Sequence, residues 1–157
     1  KDLSETELRQ QWNKIKSKEK KSTSILDGIP LGAPALMNAL SISKRAASLG
    51  FDWESPWDVL SKVEEELQEV RHEMEQNNTQ LLEEELGDLL FSITNLARTY
   101  QIDPEIALKK GNDKFAKRFE TLEQAIREAD KNGKKLTSDD LQELWQTTKL
   151  MNDSKST

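Results

Sequence analysis

The sequence predicts an all-α protein, an antiparallel helical bundle, on three observations. Apolar residues recur at spacings of three and four over long stretches, and no stretch alternates as a half-buried strand does. The four prolines and most of the six glycines fall between these periodic stretches. In chain order, Ser4 with Glu7 makes a capping-box signature ahead of Leu8, Trp12 and Ile15, a weak apolar stripe on a lysine-rich helix. Lys14 to Ser24 is polar enough to be a linker. Pro34 fits the first turn of a second helix through Leu36, Met37, Leu40 and Ala47, which Gly50 stops. Ser55 caps a third helix with Pro56 at its first position, and Val59, Val63, Leu67, Val70 and Met74 form its stripe. Asn77-Asn78 is a turn, after which Thr79 can cap a fourth helix carrying Leu82, Leu86, Leu89, Leu90, Ile93, Leu96 and Ala97. Asp103-Pro104 starts a fifth, from Glu105 to Lys131, ended by Asn132-Gly133. Thr137 and Ser138 cap a sixth with Leu141, Leu144 and Trp145 on one face, and the chain after Lys149 is expected to fray. The organisation expected is a connector helix and linker over 1–24, a folded helical domain over 25–150 and a disordered tail over 151–157.

The composition excludes several classes of function. A net charge of −6 and an isoelectric point near 5.0 do not suit a protein that grips nucleic-acid polymers through their phosphates. No apolar run reaches membrane-spanning length and no signal-peptide core is present, so no membrane partner is expected. Zero cysteines exclude disulfides, thiolate zinc sites and cysteine nucleophiles, and fit a reducing, cytoplasmic setting. With 34% hydrophobic residues and a mean hydropathy of −0.80 the core must be thin, and burial against a second copy is a natural remedy. A start at Lys1, within an amphipathic segment, suggests an excised piece of a longer protein.

The net charge is unevenly distributed. Between Glu64 and Asp88 stand ten carboxylates and one strong base, Arg71, a local charge of −9 that leaves +3 on the remainder. Acidic helices are usually solvated surface. Here, however, Glu66 lies between Val63 and Val70, and Glu85 between Leu81 and Leu89, both within apolar stripes, with Glu69 and Asp88 one turn further along. Four carboxylates converging between two helices would repel one another and lose hydration, so a cation must sit among them. Oxygen-only ligands point to a hard divalent ion, Mg²⁺ or Mn²⁺. Gly87 costs helix propensity, and a close approach of ligand or backbone or a tight helix crossing would account for it.

The single histidine offers a competing pattern. Glu69 and His72 make a Glu-x-x-His element of the kind used by di-iron bundles, but Glu85 and Asp88 stand where a second such element would be needed, so His72 is expected to face solvent. Lys110, Lys114 and Arg118 recur every four residues on one helix, with Asn112 nearby and the stripe Phe115, Phe119, Leu122, Ile126 offset from them. Opposite an acidic metal cluster, such cations suit a polyphosphate bridged between metal and Lys/Arg. Trp145, Trp53 and Phe51 could stack on a base, although core positions are favoured for each.

Glu65-Glu66-Leu67-Gln68-Glu69, followed after fifteen residues by Glu85-Leu86-Gly87-Asp88, resembles the EExxE…ExxD signature of MazG-type nucleoside triphosphate pyrophosphohydrolases. The resemblance extends to Lys44-Arg45, Gly50-Phe51-Asp52-Trp53, Asn95-Leu96-Ala97-Arg98, the Lys114 to Phe119 segment and Trp145, and is greatest to the C-terminal domain of two-domain bacterial members. It implies an all-α homodimer, Mg²⁺ dependence, and hydrolysis of NTPs and dNTPs to monophosphate and pyrophosphate with broad base tolerance, in nucleotide-pool housekeeping. Glu66, Glu69, Glu85 and Asp88 would hold the metal, Lys114 and Arg118 would grip phosphates, and Trp145 would line the nucleotide site. Glu65 is a spare carboxylate able to deprotonate the attacking water. Leu81 replaces a lysine that related domains can carry. A noncatalytic helical dimerisation or regulatory module is the alternative.

Overall fold

A computed structural model of the chain describes residues 24–30 and 32–153. The expected first helix, with its Ser4/Glu7 cap, and the end of the expected tail lie outside these residues. Five helices follow in order: α1 (Ala35–Ser48), α2 (Pro56–Gln76), α3 (Thr79–Thr99), α4 (Pro104–Lys131) and α5 (Ser138–Asp153). Among the described residues there are no strands, and no helix is long and apolar enough to cross a membrane. The chain divides into two compact units, the first ending at Pro104 and the second beginning at Glu105.

In the first unit α2 and α3 form a helical hairpin, and α1 packs on α3. The start of α2 is fixed as its sequence predicts. The Asp58 N–H donates to Ser55 Oγ at 3.3 Å, the Ser55 N–H donates to Asp58 Oδ2 at 2.9 Å, and Pro56 takes the first turn. The hairpin turn differs from expectation by one residue. Asn77 closes α2 in the left-handed conformation (φ 54°), and Asn78 rather than Thr79 caps α3, accepting from the Leu81 N–H at 3.3 Å. Asparagine serves both positions because its short amide tolerates positive φ and also mimics a backbone acceptor. Similarly Pro34 sits at the N-cap of α1, one position before the first helical turn, and makes no side-chain cap.

The core is thin, as the composition requires. Val59 is fully buried and Val70 and Leu40 nearly so, each contributing about 2 kcal/mol by removal from water. On α3 the burial departs from the expected leucine stripe. The buried positions are Ser92, Thr94 and Asn95, while Leu86, Leu90 and Ile93 are exposed, as are Leu67 and Met74 on α2. Ser43 of α1 donates a hydrogen bond to Asn95 Oδ1, so a polar contact joins α1 to α3 where apolar side chains were expected. Two arginines tie loops to this frame. Arg45 donates to the carbonyls of Ile25 and Asp27, both at 2.7 Å, and Arg98 makes a two-pronged ion pair with Asp52. That pair holds the Asp52 carboxyl below its ordinary 3.8.

In the second unit Phe115 stacks on Phe119 (centroids 6.0 Å apart) and meets Trp145 of α5 at 5.2 Å, with Leu122 buried one turn further on. Thr137 alone caps α5. The Asp140 N–H donates to Thr137 Oγ1 at 3.2 Å and the Thr137 N–H to Asp140 Oδ2 at 2.9 Å, while Ser138 is already helical. These bonds hold the Asp140 carboxyl below its ordinary 3.8. With no Gly or Pro after Thr137, α5 continues to Asp153, past the point where fraying was expected.

Candidate metal centre

The α2–α3 hairpin positions the acidic side chains. Its two 21-residue helices are joined by a two-residue turn, so they run antiparallel and the middle of α2 faces the first half of α3. Glu66 thereby meets Glu85 and Asp88, and one carboxylate oxygen from each of the three lies within 4.8 Å of the others. The three sit in different surroundings: Glu66 buried, Glu85 half-buried, Asp88 exposed. This is a wall of charge open on one side, the form needed by a site that must admit a ligand. Glu69, one turn after Glu66, adjoins the group through Glu66. A hydrogen bond shared with that carboxylate, then burial and the negative charges of Glu66 and Glu85, raise the Glu69 pKa above its ordinary 4.5.

The cation demanded by this convergence is visible in the protein itself. Lys62 Nζ lies 2.8 Å from Glu66 Oε1 and 2.9 Å from Glu65 Oε1, and these two bonds raise the lysine pKa well above its usual range. Lys62 is not among the residues singled out from the sequence. It stands two positions before the acidic stretch, and a lone lysine there carries no signal beyond its i, i+4 spacing to Glu66. Glu65 itself is 59% exposed on its side chain, beside the cluster but outside it.

Other expectations are met or corrected here. His72 is exposed, with Nε2 3.9 Å from Glu73, and takes no part in the cluster. A Cβ built on Gly87 would meet nothing within 4 Å, so neither a helix crossing nor a close backbone approach among the described residues accounts for this glycine. The core positions favoured for Phe51 and Trp53 are not realised. Phe51 is 78% exposed, and with Asp52 and Trp53 it lines a shallow hollow of about 280 Å³. The loop is held from its middle by the Asp52–Arg98 pair, which leaves the flanking rings outward.

Lys114 and Arg118 lie one turn apart on α4, in the second unit, with Asn112 exposed nearby. Lys110 and Lys114 are exposed and Arg118 is half-buried. Trp145 is half-buried, with one side against Phe115 and the Lys149 ammonium 5.9 Å from its ring centre, so part of its surface is engaged within its own unit.

A donor set of carboxylate oxygens, without thiolate and with the imidazole turned away, fits a hard divalent ion such as Mg²⁺ or Mn²⁺. The acidic segment also has known relatives. Residues 54–122 match the MazG nucleotide pyrophosphohydrolase domain, and that span contains Glu65, Glu66, Glu69, Glu85, Asp88 and, on α4, Lys114 and Arg118. The chain is 43% identical over 152 residues to the nucleoside triphosphate pyrophosphohydrolase of Escherichia coli K12, a match covering 92% of this chain and 57% of that protein. It is 43% identical over 142 residues to the nucleoside triphosphate pyrophosphohydrolase/pyrophosphatase MazG of Thermotoga maritima (88% of this chain, 54% of that one). It is also 38% identical over 154 residues to YabN, an uncharacterised protein of Bacillus subtilis, covering 92% and 30%. The chain therefore spans little more than half the length of the pyrophosphohydrolases it resembles, and within it residues 54–122 are similar to the MazG nucleotide pyrophosphohydrolase domain.

Proposed function

We propose that this chain hydrolyses nucleoside triphosphates, NTPs and dNTPs alike, to the monophosphate and pyrophosphate in cytoplasmic nucleotide-pool housekeeping, with Glu66, Glu69, Glu85 and Asp88 holding Mg²⁺ or Mn²⁺. The observation that carries this reading is the convergence of Glu66, Glu85 and Asp88 from two helices within a segment that matches a pyrophosphohydrolase domain. When bound, the ion supplies charge stabilisation at the phosphate oxygens. The chain's own groups do the rest. Glu65, exposed beside the cluster, accepts a proton from water as the water oxygen bonds to the α-phosphorus. The bond from that phosphorus to the α–β bridging oxygen breaks, and pyrophosphate leaves with the electron pair. Lys114 and Arg118 of the second unit are the cations proposed to bind phosphate, and Asn112 and Trp145 the groups proposed to bind the nucleoside. Broad base tolerance follows if the base is held by ring stacking more than by hydrogen bonds.

The reading includes a homodimer. Support comes from Leu86, Leu90 and Ile93 of α3 with Leu67 and Met74 of α2, apolar side chains left exposed on a hairpin whose core is small.

Incubation with each of the eight common NTPs and dNTPs, with and without Mg²⁺, tests the activity. Monophosphate and pyrophosphate in equal amounts, formed only with the metal, are expected. Orthophosphate in place of pyrophosphate, or no turnover, would sink the reading.

A further inference from the structure

The buried member of the acidic cluster is Glu66, its side chain only 5% exposed, and the group that neutralises it is Lys62. Ion pairs one helical turn apart are ordinarily minor surface features. This one differs because its acid lies within 4.8 Å of two further carboxylates, Glu85 and Asp88, and adjoins Glu69. Without Lys62, Glu66 would, among the described residues, be a buried charge beside like charges, an arrangement that is strongly destabilising. The lysine differs from its partner in exposure. Its side chain is 35% exposed, and it bonds at 2.9 Å to Glu65, which is 59% exposed. Lys62 therefore has a second anion to hold when it lets go of the first, and breaking the Glu66 bond does not strand an ammonium in an apolar place.

A divalent ion drawn to Glu66, Glu85 and Asp88 must compete for the same carboxylate charge that Lys62 now satisfies, and must tolerate a positive group at its edge. We propose that Lys62 is the resident counter-ion of the metal centre: it holds Glu66 in place in the metal-free protein, yields that carboxylate to the incoming divalent ion while keeping Glu65, and so sets how tightly the ion binds. This rests on the metal-site reading above. Binding is then an exchange of cations, and Glu66 has a cationic partner in either state. Lys62 acts through Glu66 and is a positioning residue.

Calorimetric titration of Mn²⁺ into chelator-treated full chain tests this with wild type, Lys62→Met, Lys62→Gln, Lys62→Arg and Glu66→Gln. Both neutral variants should bind Mn²⁺ about tenfold more tightly than wild type, since the competing charge is gone. Their metal-free forms should melt at lower temperature than wild type, with most of the loss recovered at saturating Mn²⁺. Lys62→Arg, which keeps the charge, should stay within about threefold of wild type. Unchanged or weaker Mn²⁺ binding in the neutral variants would overturn the proposal while leaving the metal site standing. A wild-type isotherm that shows no binding, or one identical to that of Glu66→Gln, would overturn the metal site itself and the proposal with it.

Discussion

Two ridges of α3 invert the usual rule for a helix on a protein surface. Glu85, Asp88, Ser92 and Asn95 fall on one ridge at steps of three and four, and from Glu85 onward it turns toward α2 and α1. Leu86, Leu90 and Ile93 fall on another and are exposed. The polar ridge begins in the carboxylate cluster and ends at the Ser43–Asn95 hydrogen bond, with Asn95 only 1% exposed. The apolar ridge stays exposed, with Leu90 at 54%. The difference teaches that within this unit α3 turns its polar ridge inward and leaves its hydrophobic ridge exposed, the face that the proposed dimer would cover.

Breaking the polar ridge at its acidic end should have the largest effect. Glu85→Gln and Asp88→Asn are expected to cut Mg²⁺-dependent pyrophosphate release by at least about a hundredfold. Thermal melting in the metal-free state should hold or rise, because a like charge has been removed from the cluster. A variant that lost activity only by unfolding would contradict this. Leu90→Glu probes the apolar ridge: light scattering should show a dimer for the wild type and a monomer for the variant. A wild type that runs as a monomer removes the reading of that ridge as an interface.

A smaller effect is expected at the other end of the polar ridge. Asn95→Ala leaves the Ser43 hydroxyl without its acceptor and should cost about 1–3 kcal/mol in chemical denaturation. An unchanged midpoint would show that the contact contributes nothing. Smallest of all is the effect of acid on the ion-paired and capping carboxylates. Asp52 and Asp140 are both held below their ordinary 3.8, so each contributes stability that is present above that value and disappears as pH falls through the lowered one. Asp52→Asn and Asp140→Asn should therefore melt below wild type at neutral pH, and the gap should close as the pH falls below the ordinary 3.8 and through the lowered values. A gap that persisted unchanged in acid would exclude these carboxylates as its source.

Much of this was legible in the sequence. The breaks at Ser55-Pro56, Asn77-Asn78 and Asn132-Gly133 mark real helix ends because each places a residue with distinctive backbone or capping chemistry where the backbone needs it. The convergence of Glu66 with Glu85 and Asp88 was also legible, since a short turn between two long helices leaves little choice of register. Periodicity could not say which apolar stripe faces inward. Leu86, Leu90 and Ile93 have the spacing of a core stripe, but the neighbours of α3 within its unit are α2, which faces it across the carboxylates, and α1, which meets it through Ser43. Lys62 stayed hidden for a similar reason: its importance comes from what lies across from its partner on another helix, and spacing along one helix does not report that.

The two-residue turn between α2 and α3 has a kinetic consequence. Glu66 and Glu85 are only 19 positions apart, so the metal-binding group forms by closing a short helical hairpin, a local event with little loop entropy to overcome. Like charges on the two arms oppose that closure. Lys62 lies on the same arm as Glu66 and can neutralise it as soon as α2 is helical, before α3 arrives. The lysine thus lowers a repulsive barrier on the folding path as well as in the folded state, and its removal should slow refolding of the metal-free chain.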